Sequence, residues 1–327
     1  MLYLPGTGRR RFLQAAGASI ALAGLSPHAA LAFAEQKKAQ APGYFRFMLG
    51  TFEITMLSDG LNRTPFRFSA SNVPEDELKA YLHALRQPTD ARVSHLNVCL
   101  INTGETLVLV DCGSGDNFRE TTGKLTESLE AAGYAPEDVD HIIITHGHPD
   151  HIWGIIDDFA EEPRFGNAQY SMSIGEWDYW TQKDLESRMP EGFRFFATGA
   201  HRNLLPIAER TTRIKPGAEI MPGLQTLPSR GHTKDHMSVL ATSRGESLLI
   251  VGDAITHPFI SLEHPDWEPQ MDMDKAEAVK TRKRLIDMAA TDKLLVAAYH
   301  IPFPGVGHIV PNGSAHRWVP ITWQWEL

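Results

Sequence analysis

The sequence predicts an α/β fold in which two mixed β-sheets pack face to face between outer helices, an αββα sandwich. Three observations favour it. Strand-like runs form two groups along the chain, a helix-rich stretch at about residues 173–210 separates them, and further helical segments lie between the strands. Sheets and amphipathic helices must each bury an apolar face, so this order is typical of two packed sheets with helices on their outer surfaces.

The individual strands are predicted from short runs rich in β-branched and aromatic residues, bounded by turn residues. They lie at residues 44–48, 52–57, 93–102, 106–111, 141–145, 238–242, 247–251, 294–298 and 318–322. Three helices are predicted from their periodicity and end signals. They lie at 74–84 after a cap at Asn72, at 124–132 before Gly133, and at 274–290 with Asp272 or Asp274 as the cap.

Length and composition indicate one folded domain, residues 43–327, behind a leader, residues 1–34, and a linker, residues 35–42. The 327-residue chain is 42% hydrophobic and 22% charged, which is ordinary for a globular protein. The leader holds three of the 31 basic residues and none of the 40 acidic ones, so the mature chain carries 28 basic residues and a net charge of −12. An acidic surface without a basic run argues against nucleic acid and membrane as partners.

The leader resembles a twin-arginine export signal. Arg9, Arg10 and Arg11 precede Phe12 and Leu13, an apolar stretch rich in alanine, leucine and glycine follows, and alanines before residue 35 offer cleavage positions. A membrane anchor is the alternative, but the apolar stretch is short and rich in glycine. The resemblance implies a folded, exported protein that is periplasmic or secreted.

Two cysteines, Cys99 and Cys112, are too few for a disulfide framework. Both lie in one predicted hairpin that turns at residues 103–105. If Asn102 pairs with Thr106, the two sulfurs project from opposite faces of the sheet. We therefore expect two free, buried thiols.

The strongest chemical signal is a dense group of metal-ligand side chains directly after the strand at 141–145. Gly147 lets the backbone turn so that the flanking imidazoles converge, and Pro149 suits the first turn of a helix that directs the next two side chains to a neighbouring point. Surface histidines and a capping aspartate are the alternatives, which this spacing disfavours. The four potential ligands, which predict two adjacent metal ions, are His146, His148, Asp150 and His151.

This group resembles the H-x-H-x-D-H motif of the metallo-β-lactamase superfamily, and the likeness continues in chain order over about residues 42–327. The run Leu109-Val110-Asp111 is similar to an early strand of that family, whose aspartate orients a ligand. Three later segments resemble its remaining ligand positions, namely Gly231-His232-Thr233, Val251-Gly252-Asp253-Ala254 and Ala298-Tyr299-His300.

The resemblance implies two divalent metal ions, with zinc as the first choice and iron, manganese or cobalt as alternatives. One ion would be held by His146, His148 and His232, the other by Asp150, His151 and His300, and Asp253 would bridge them. The ions would share a hydroxide as the nucleophile, with Asp150 and Asp253 as the catalytic carboxylates. No cysteine occupies a ligand position, unlike in thiolate-using β-lactamases, and hydrolysis is favoured over redox chemistry.

Further segments, at residues 41–46, 52–55, 57–60 and 299–308, resemble the methyl parathion hydrolase and lactonase group of the superfamily. This likeness implies a homodimer and small, uncharged ester-type substrates: organophosphate triesters, aryl esters or lactones. One departure weakens the assignment as an acyl-homoserine lactonase. Those enzymes carry a tyrosine three residues after the bridging aspartate, and Thr256 stands at that position here.

An uncharged substrate requires an apolar, aromatic pocket beside the metals. The resemblance places Phe118, Trp180 and Phe196 in that pocket, and Trp177 shares a helix face with Trp180, with core packing as the alternative for all four. His236, four residues after a predicted ligand, is expected to be structural. Two other functions remain open: a β-lactamase or thioester hydrolase of the same fold, and a non-catalytic periplasmic metal-binding protein.

Overall fold

The computed structural model describes residues 43–323 together with the isolated positions 36, 38, 40 and 41. The predicted export signal and half of the predicted linker lie outside the described residues, so the division into leader, linker and domain stays a prediction. Among the helices of the described part, none is long and apolar enough to cross a membrane.

In the part of the chain that the structure describes, fourteen strands form two mixed sheets of seven strands each, which confirms the predicted fold class. The first sheet runs in chain order, antiparallel from its first to its fourth strand and parallel from the fourth to the seventh. Its strands are β1 (Tyr44–Leu49), β2 (Phe52–Pro65), β3 (Ala91–Asn102), β4 (Leu107–Val110), β5 (His141–Ile144), β6 (Gln169–Ser173) and β7 (Thr211–Ile214).

The second sheet also keeps chain order and is antiparallel except for one parallel pair, its fourth and fifth strands. Its strands are β8 (Glu219–Met221), β9 (Leu224–Pro228), β10 (Met237–Ser243), β11 (Glu246–Ile250), β12 (Leu295–Ala297), β13 (Val306–Asn312) and β14 (Ala315–Pro320). Eight α-helices accompany the sheets in the described part: α1 (Glu75–Ala84), α2 (Leu125–Ala131), α3 (Pro149–Ile152), α4 (Ile174–Trp180), α5 (Leu185–Arg188), α6 (Arg194–Leu204), α7 (Ile260–Glu263) and α8 (Lys275–Thr291).

Three apolar layers hold the sandwich together. Between the sheets, Ile54 and Val110 of the first sheet pack with Val239 of the second. On the outer face of the first sheet, the core includes α2 and α6, and on the outer face of the second sheet Leu285 of α8 packs against Val296. Burying one such side chain contributes about 1.5–3 kcal/mol to folding, so these layers are the main stabilising term.

The sequence analysis missed five strands: β6, β7, β8, β9 and β13. Four of them have three to five residues, and β6 and β7 are mostly polar. Their pairing comes from neighbours distant in sequence rather than from a local pattern. β13 contains Gly307 and Pro311, which mask its alternation of apolar residues.

The predicted register of the β3–β4 hairpin is wrong by one residue. Asn102 pairs with Leu107 and Cys99 with Val110, because the turn has four residues rather than three. The Thr103 backbone N–H donates to the Thr106 carbonyl across that turn at 3.1 Å. A one-residue slip places each side chain of one strand on the face opposite to the predicted one.

The two thiols are nevertheless free and buried, as expected. Cys99 lies in the layer between the sheets, whereas Cys112 lies in the layer between the first sheet and its helices. They reach opposite sides because Asp111, with φ of +67°, redirects the chain just after β4 ends. Burial raises the pKa of Cys112 well above its ordinary value and that of Cys99 likewise, so both stay protonated.

Of the predicted helix caps, Asn72 is wrong, and Asp274 is the member of the pair Asp272 or Asp274 that is confirmed. Asn72 does not cap α1; its side chain accepts from the Glu268 N–H and donates to the Asp266 carbonyl, tying two loops together. Asp274 caps α8 by accepting from the Glu277 N–H at 3.0 Å. Asp272, the alternative cap, is thereby free for the role described below.

The packing around α3 can be tested by a substitution at Gly154, which lies just after this helix. A Cβ at this position would overlap the Cys112 carbonyl oxygen, and the Gly154 N–H already donates to the Gly113 carbonyl at 3.1 Å. Gly154→Ala should therefore destabilise the protein by about 3 kcal/mol, measured by urea unfolding. Gly166→Ala is the control, since a Cβ there meets no atom within 4 Å. Equal unfolding midpoints for the two variants would refute the packing described here.

Candidate metal centre

The first group of predicted ligands follows β5. Helix α3 begins at Pro149, as predicted, with His148 just before it and Asp150 and His151 within it. Gly147 is required here because a Cβ would overlap the indole ring of Trp180, which packs directly on the backbone between the first two histidines. The close approach of Trp180 thus fixes the turn that presents the histidines.

The second group comes from the other sheet. His232 lies in the loop between β9 and β10, Asp253 in a short 3₁₀ turn after β11, and His300 just after β12. Because β11 and β12 are parallel, the residues that follow them leave the same edge of the sheet. This edge faces the loop after β5, so the two sheets deliver their ligands to one place.

Asp253 is at the centre of the cluster. Its Oδ1 lies 3.2 Å from His151 Nε2. Its Oδ2 lies 3.2 Å from His232 Nε2 and 3.0 Å from His300 Nε2. One carboxylate therefore reaches histidines of both predicted ligand sets, which is the geometry that a bridging ligand requires.

The seven side chains form two compact groups. Within each group, the ligand atoms all lie within 4.8 Å of one another. The first group is His146, His148, His232 and Asp253, and the second is Asp150, His151 and His300. The sequence analysis divided the six outer ligands in the same way. All seven are buried except Asp150, which is partly exposed.

Three ligand atoms indicate that the cluster is built for cations. His146 Nε2, His151 Nε2 and Asp253 Oδ1 are buried and have no hydrogen-bond partner. Buried polar atoms are nearly always paired, and leaving one unpaired costs about 1–3 kcal/mol. Divalent metal ions would bind these atoms, so the residues present fit the two-metal centre that the resemblance implies. Imidazole and carboxylate ligands are shared by zinc, iron, manganese and cobalt.

Hydrogen bonds behind the ligands fix their orientation. Asp111 Oδ2 lies 2.7 Å from His151 Nδ1, and the same carboxylate accepts from the backbone N–H and hydroxyl of Thr145. His300 Nδ1 donates to the His95 carbonyl at 2.9 Å. Each bond occupies Nδ1 and leaves Nε2 for a metal. Asp111 therefore has the position expected from its predicted role, which is to orient a ligand.

Asp272 does the same for His232, and sequence reasoning missed it. Its Oδ1 lies 2.8 Å from His232 Nδ1, and its Oδ2 accepts from the buried Arg282 guanidinium at 2.8 Å. In the sequence, Asp272 is an acid just before α8, and an acid at that position is equally typical of a helix cap. Only the tertiary fold brings it to a histidine 40 residues away.

His236 holds Asp253, the predicted bridging residue, and is not itself a member of the two ligand groups. Its Nε2 accepts from the Asp253 backbone N–H at 3.1 Å, and its Nδ1 lies 2.7 Å from the Ser229 hydroxyl. Burial lowers the pKa of His236 to about 3, and the nearby His232 acts in the same direction. The ring is therefore neutral and structural, and it positions the turn that carries Asp253.

The electrostatics of the cluster favour positive charge at its centre. Burial lowers the pKa of His146 and His148 well below the ordinary value, so both are neutral and able to donate a lone pair. For His232, burial acts downwards, but the carboxylates of Asp253 and Asp272 outweigh it and raise the pKa to about 9. The same carboxylate potential stabilises a metal cation.

A cavity of about 470 Å³ opens directly over the cluster. Its lining includes Phe118 and Phe196, two of the four predicted pocket aromatics, together with five of the predicted ligands. A neighbouring cavity of about 400 Å³ shares His148 and Phe196 with it. The site is thus accessible to a small organic molecule.

Trp177 and Trp180 lie elsewhere. Both are buried in the core layer beside the first sheet, and neither lines the two cavities that border His148. Trp180 Nε1 donates to Glu176 at 2.7 Å, and its ring meets His148 edge-on at 5.6 Å. The two indoles share a face of α4, as expected, but that face points into the core. Trp180 therefore packs against His148 from the core side rather than from the cavity.

Fold and site together define a class: metal-dependent hydrolases built on an αββα sandwich, with histidine and aspartate ligands at the sheet edges. The family model for the metallo-β-lactamase superfamily matches residues 92–300. The chain belongs to this superfamily.

Individual relatives agree with this membership. The probable metallo-hydrolase YqjP of Bacillus subtilis (strain 168) is 26% identical over 246 residues, covering 71% of this chain and 73% of the relative. An N-acyl homoserine lactonase of Bacillus cereus is 25% identical over 220 residues, covering 62% of this chain and 79% of the relative.

Two solved structures are similar over nearly their whole length. AidC, described as a dizinc quorum-quenching lactonase in complex with a product, superposes with a TM-score of 0.81 at 27% identity, covering 86% of this chain and 99% of AidC. The hydrolase AbOPH superposes with a TM-score of 0.81 at 28% identity, covering 88% of this chain and all of AbOPH. The clusters described above, in this fold, fit two divalent metals.

Asp272 offers a test of the orienting shell. Asp272→Asn cannot accept both from His232 and from Arg282, since its amide nitrogen would face one of these donors. We expect metal affinity to fall about 10–100-fold, measured by competition with a chromophoric chelator. Asp287→Asn, an exposed acid on α8, is the matched control and should keep wild-type affinity. If Asp272→Asn keeps the wild-type metal affinity, Asp272 does not support the metal site.

Proposed function

We propose that the chain hydrolyses ester-type substrates, lactones and aryl esters foremost, at a dinuclear metal site formed by the seven clustered side chains. The observation that carries the proposal is the set of buried, unpartnered atoms His146 Nε2, His151 Nε2 and Asp253 Oδ1, in a cluster whose members Asp253, Asp150 and His300 line an open cavity. A closed structural metal site would not need a cavity for a small molecule.

When bound, two divalent cations would supply an activated water as nucleophile and would stabilise negative charge that develops on the substrate oxygen. The chain's own residues fix the geometry for this. Asp253 is held from behind by His236 and reaches histidines of both groups. The partly exposed Asp150 carboxylate lies in the cavity lining, 3.5 Å from His300 Nε2, where it can hold a proton close to a leaving alkoxide.

The choice of lactones and aryl esters rests on the site and on its relatives. AidC is described as a lactonase, and the Bacillus cereus relative as an N-acyl homoserine lactonase. The cavity of about 470 Å³ matches a small-molecule site, and Phe118 and Phe196 give it an apolar wall. Organophosphate triesters share the same requirement for an activated water and are the second group of candidates.

A substrate screen of the purified, metal-loaded protein tests the proposal. We expect turnover of dihydrocoumarin-type lactones and 4-nitrophenyl esters, with paraoxon, nitrocefin and a thioester as comparison substrates. Turnover confined to nitrocefin or the thioester would show that the protein is a β-lactamase or a thioester hydrolase instead. Binding of metal without turnover of any substrate would favour a non-catalytic metal-binding protein.

A further inference from the structure

The outer wall of the active-site cavity carries positive charge that the metal ligands do not explain. Arg63, Arg92 and Arg119 all line this cavity. Within residues 43–323, none of the three guanidinium groups forms an ion pair with a carboxylate of the chain. The whole chain has a net charge of −9, so three arginines without ion pairs in one cavity are unexpected and point to an anionic ligand.

Arg92 is the innermost of the three. It is partly buried near the start of β3, whereas Arg63 and Arg119 are exposed. One Arg92 nitrogen, Nη2, donates to the Thr256 carbonyl at 3.0 Å, three residues after Asp253. This bond holds the guanidinium beside the metal ligands and leaves its other N–H groups without a hydrogen-bond partner among the described residues.

The nearby carboxylates do not neutralise Arg92. Burial lowers the pKa of Arg92, and Asp253, Asp150 and Asp272 act in the opposite direction, so all three lie within electrostatic reach. Asp272 is already paired with Arg282, which leaves Asp253 and Asp150. Both belong to the clustered metal ligands, and a carboxylate that binds a divalent cation is no longer available to balance a guanidinium. Arginine keeps its charge at any ordinary pH, and a charge that is even partly removed from water is costly without a partner.

Uncharged polar groups complete the same wall. Thr64 pairs with Arg92 across β2 and β3, and Asn62 pairs with Ser94 two residues further along. All four line the cavity. The Thr64 hydroxyl is buried without a hydrogen-bond partner and could donate to an anion in this cavity, whereas Asn62 Oδ1, also unpartnered, can only accept.

We propose that Arg92, with Arg63 and Arg119 at the rim, binds a carboxylate carried by the substrate, so that the preferred substrates are anionic esters or lactones. This rests on the proposed hydrolase function and replaces the expectation of an uncharged substrate. Guanidinium and carboxylate form parallel, charge-assisted hydrogen bonds, the strongest recognition available to an arginine. The apolar wall at Phe118 and Phe196 then contacts the body of the substrate.

Two esters with the same scissile bond and leaving group test the proposal: mono-4-nitrophenyl glutarate, which is anionic, and its methyl ester, which is neutral. We expect the wild-type KM to be about tenfold lower for the anionic ester, as one charge-assisted hydrogen bond would give. In Arg92→Gln the ratio of the two KM values should approach one, and Arg92→Lys should restore part of it. Arg317→Gln, an exposed position on β14, is the matched control and should keep the wild-type ratio.

Calorimetric binding of glutaramate, in which an amide takes the place of the ester, gives a second readout that does not depend on turnover. We expect its affinity to fall about tenfold in Arg92→Gln and to stay unchanged in Arg317→Gln. If neither ester is hydrolysed but this pattern is found, the carboxylate site stands and the hydrolase function fails. If esters are hydrolysed but Arg92→Gln keeps the wild-type KM ratio and glutaramate affinity, the carboxylate site is wrong and the hydrolase function stands.

Discussion

Replacing Asp253 with alanine is expected to reduce the bound metal from two ions per chain towards one and to slow hydrolysis of a 4-nitrophenyl ester by at least about a thousandfold. The reason is geometric: its two oxygens lie 3.0–3.2 Å from histidines of both ligand groups, so both metals of the proposed site would depend on it. A thousandfold loss corresponds to about 4 kcal/mol of transition-state stabilisation, which is within the contribution of a two-metal site. Elemental analysis and steady-state kinetics on the same preparation measure both effects.

The control for this variant is Asp178→Ala, an exposed acid on α4. It should keep two metals and wild-type turnover. If Asp253→Ala retains both metals and turns over the ester at near the wild-type rate, Asp253 is not the bridge.

Removal of the metals is the second change with a large expected effect. Dialysis against a chelator should abolish turnover and lower the melting temperature by about 10 °C, because ligand binding to the folded state contributes several kcal/mol at saturation. His146 Nε2, His151 Nε2 and Asp253 Oδ1 have no hydrogen-bond partner, so removal of the metals would leave these buried polar atoms unsatisfied. Differential scanning calorimetry before and after dialysis measures the shift.

Adding back zinc, manganese or cobalt should restore both the melting temperature and the turnover. The metal that restores turnover at the lowest concentration identifies the preferred ion. A metal-free protein with unchanged melting temperature and full ester turnover would contradict the account.

The clustering of the candidate metal ligands could be predicted from the sequence because four of them are local. His146, His148, Asp150 and His151 lie within six residues, and a strand before them and a helix after them are sufficient to aim the side chains. The remaining ligands follow from their positions in the family pattern. Convergence of strand ends from two packed sheets then brings the local and distant ligands together.

Features that depend on contacts between distant segments could not be predicted in this way. Asp272 reaches His232, and Arg92 of β3 reaches Thr256, only because the fold brings together segments that are far apart in sequence. The inward rotation of α4 that buries Trp177 is also decided by packing, since its sequence suits a pocket or a core equally. The register of the β3–β4 hairpin depends on one additional turn residue, which composition does not specify.

The most direct test of the dinuclear site is anomalous diffraction from crystals of the metal-loaded protein, recorded at the absorption edge of the metal that restores turnover. A dinuclear site requires two anomalous peaks per chain. One should lie among the Nε2 or Nδ1 atoms of His146, His148 and His232, and the other among Asp150, His151 and His300, with the Asp253 carboxylate between them. A single peak in fully active crystals, or peaks away from these residues, would contradict it.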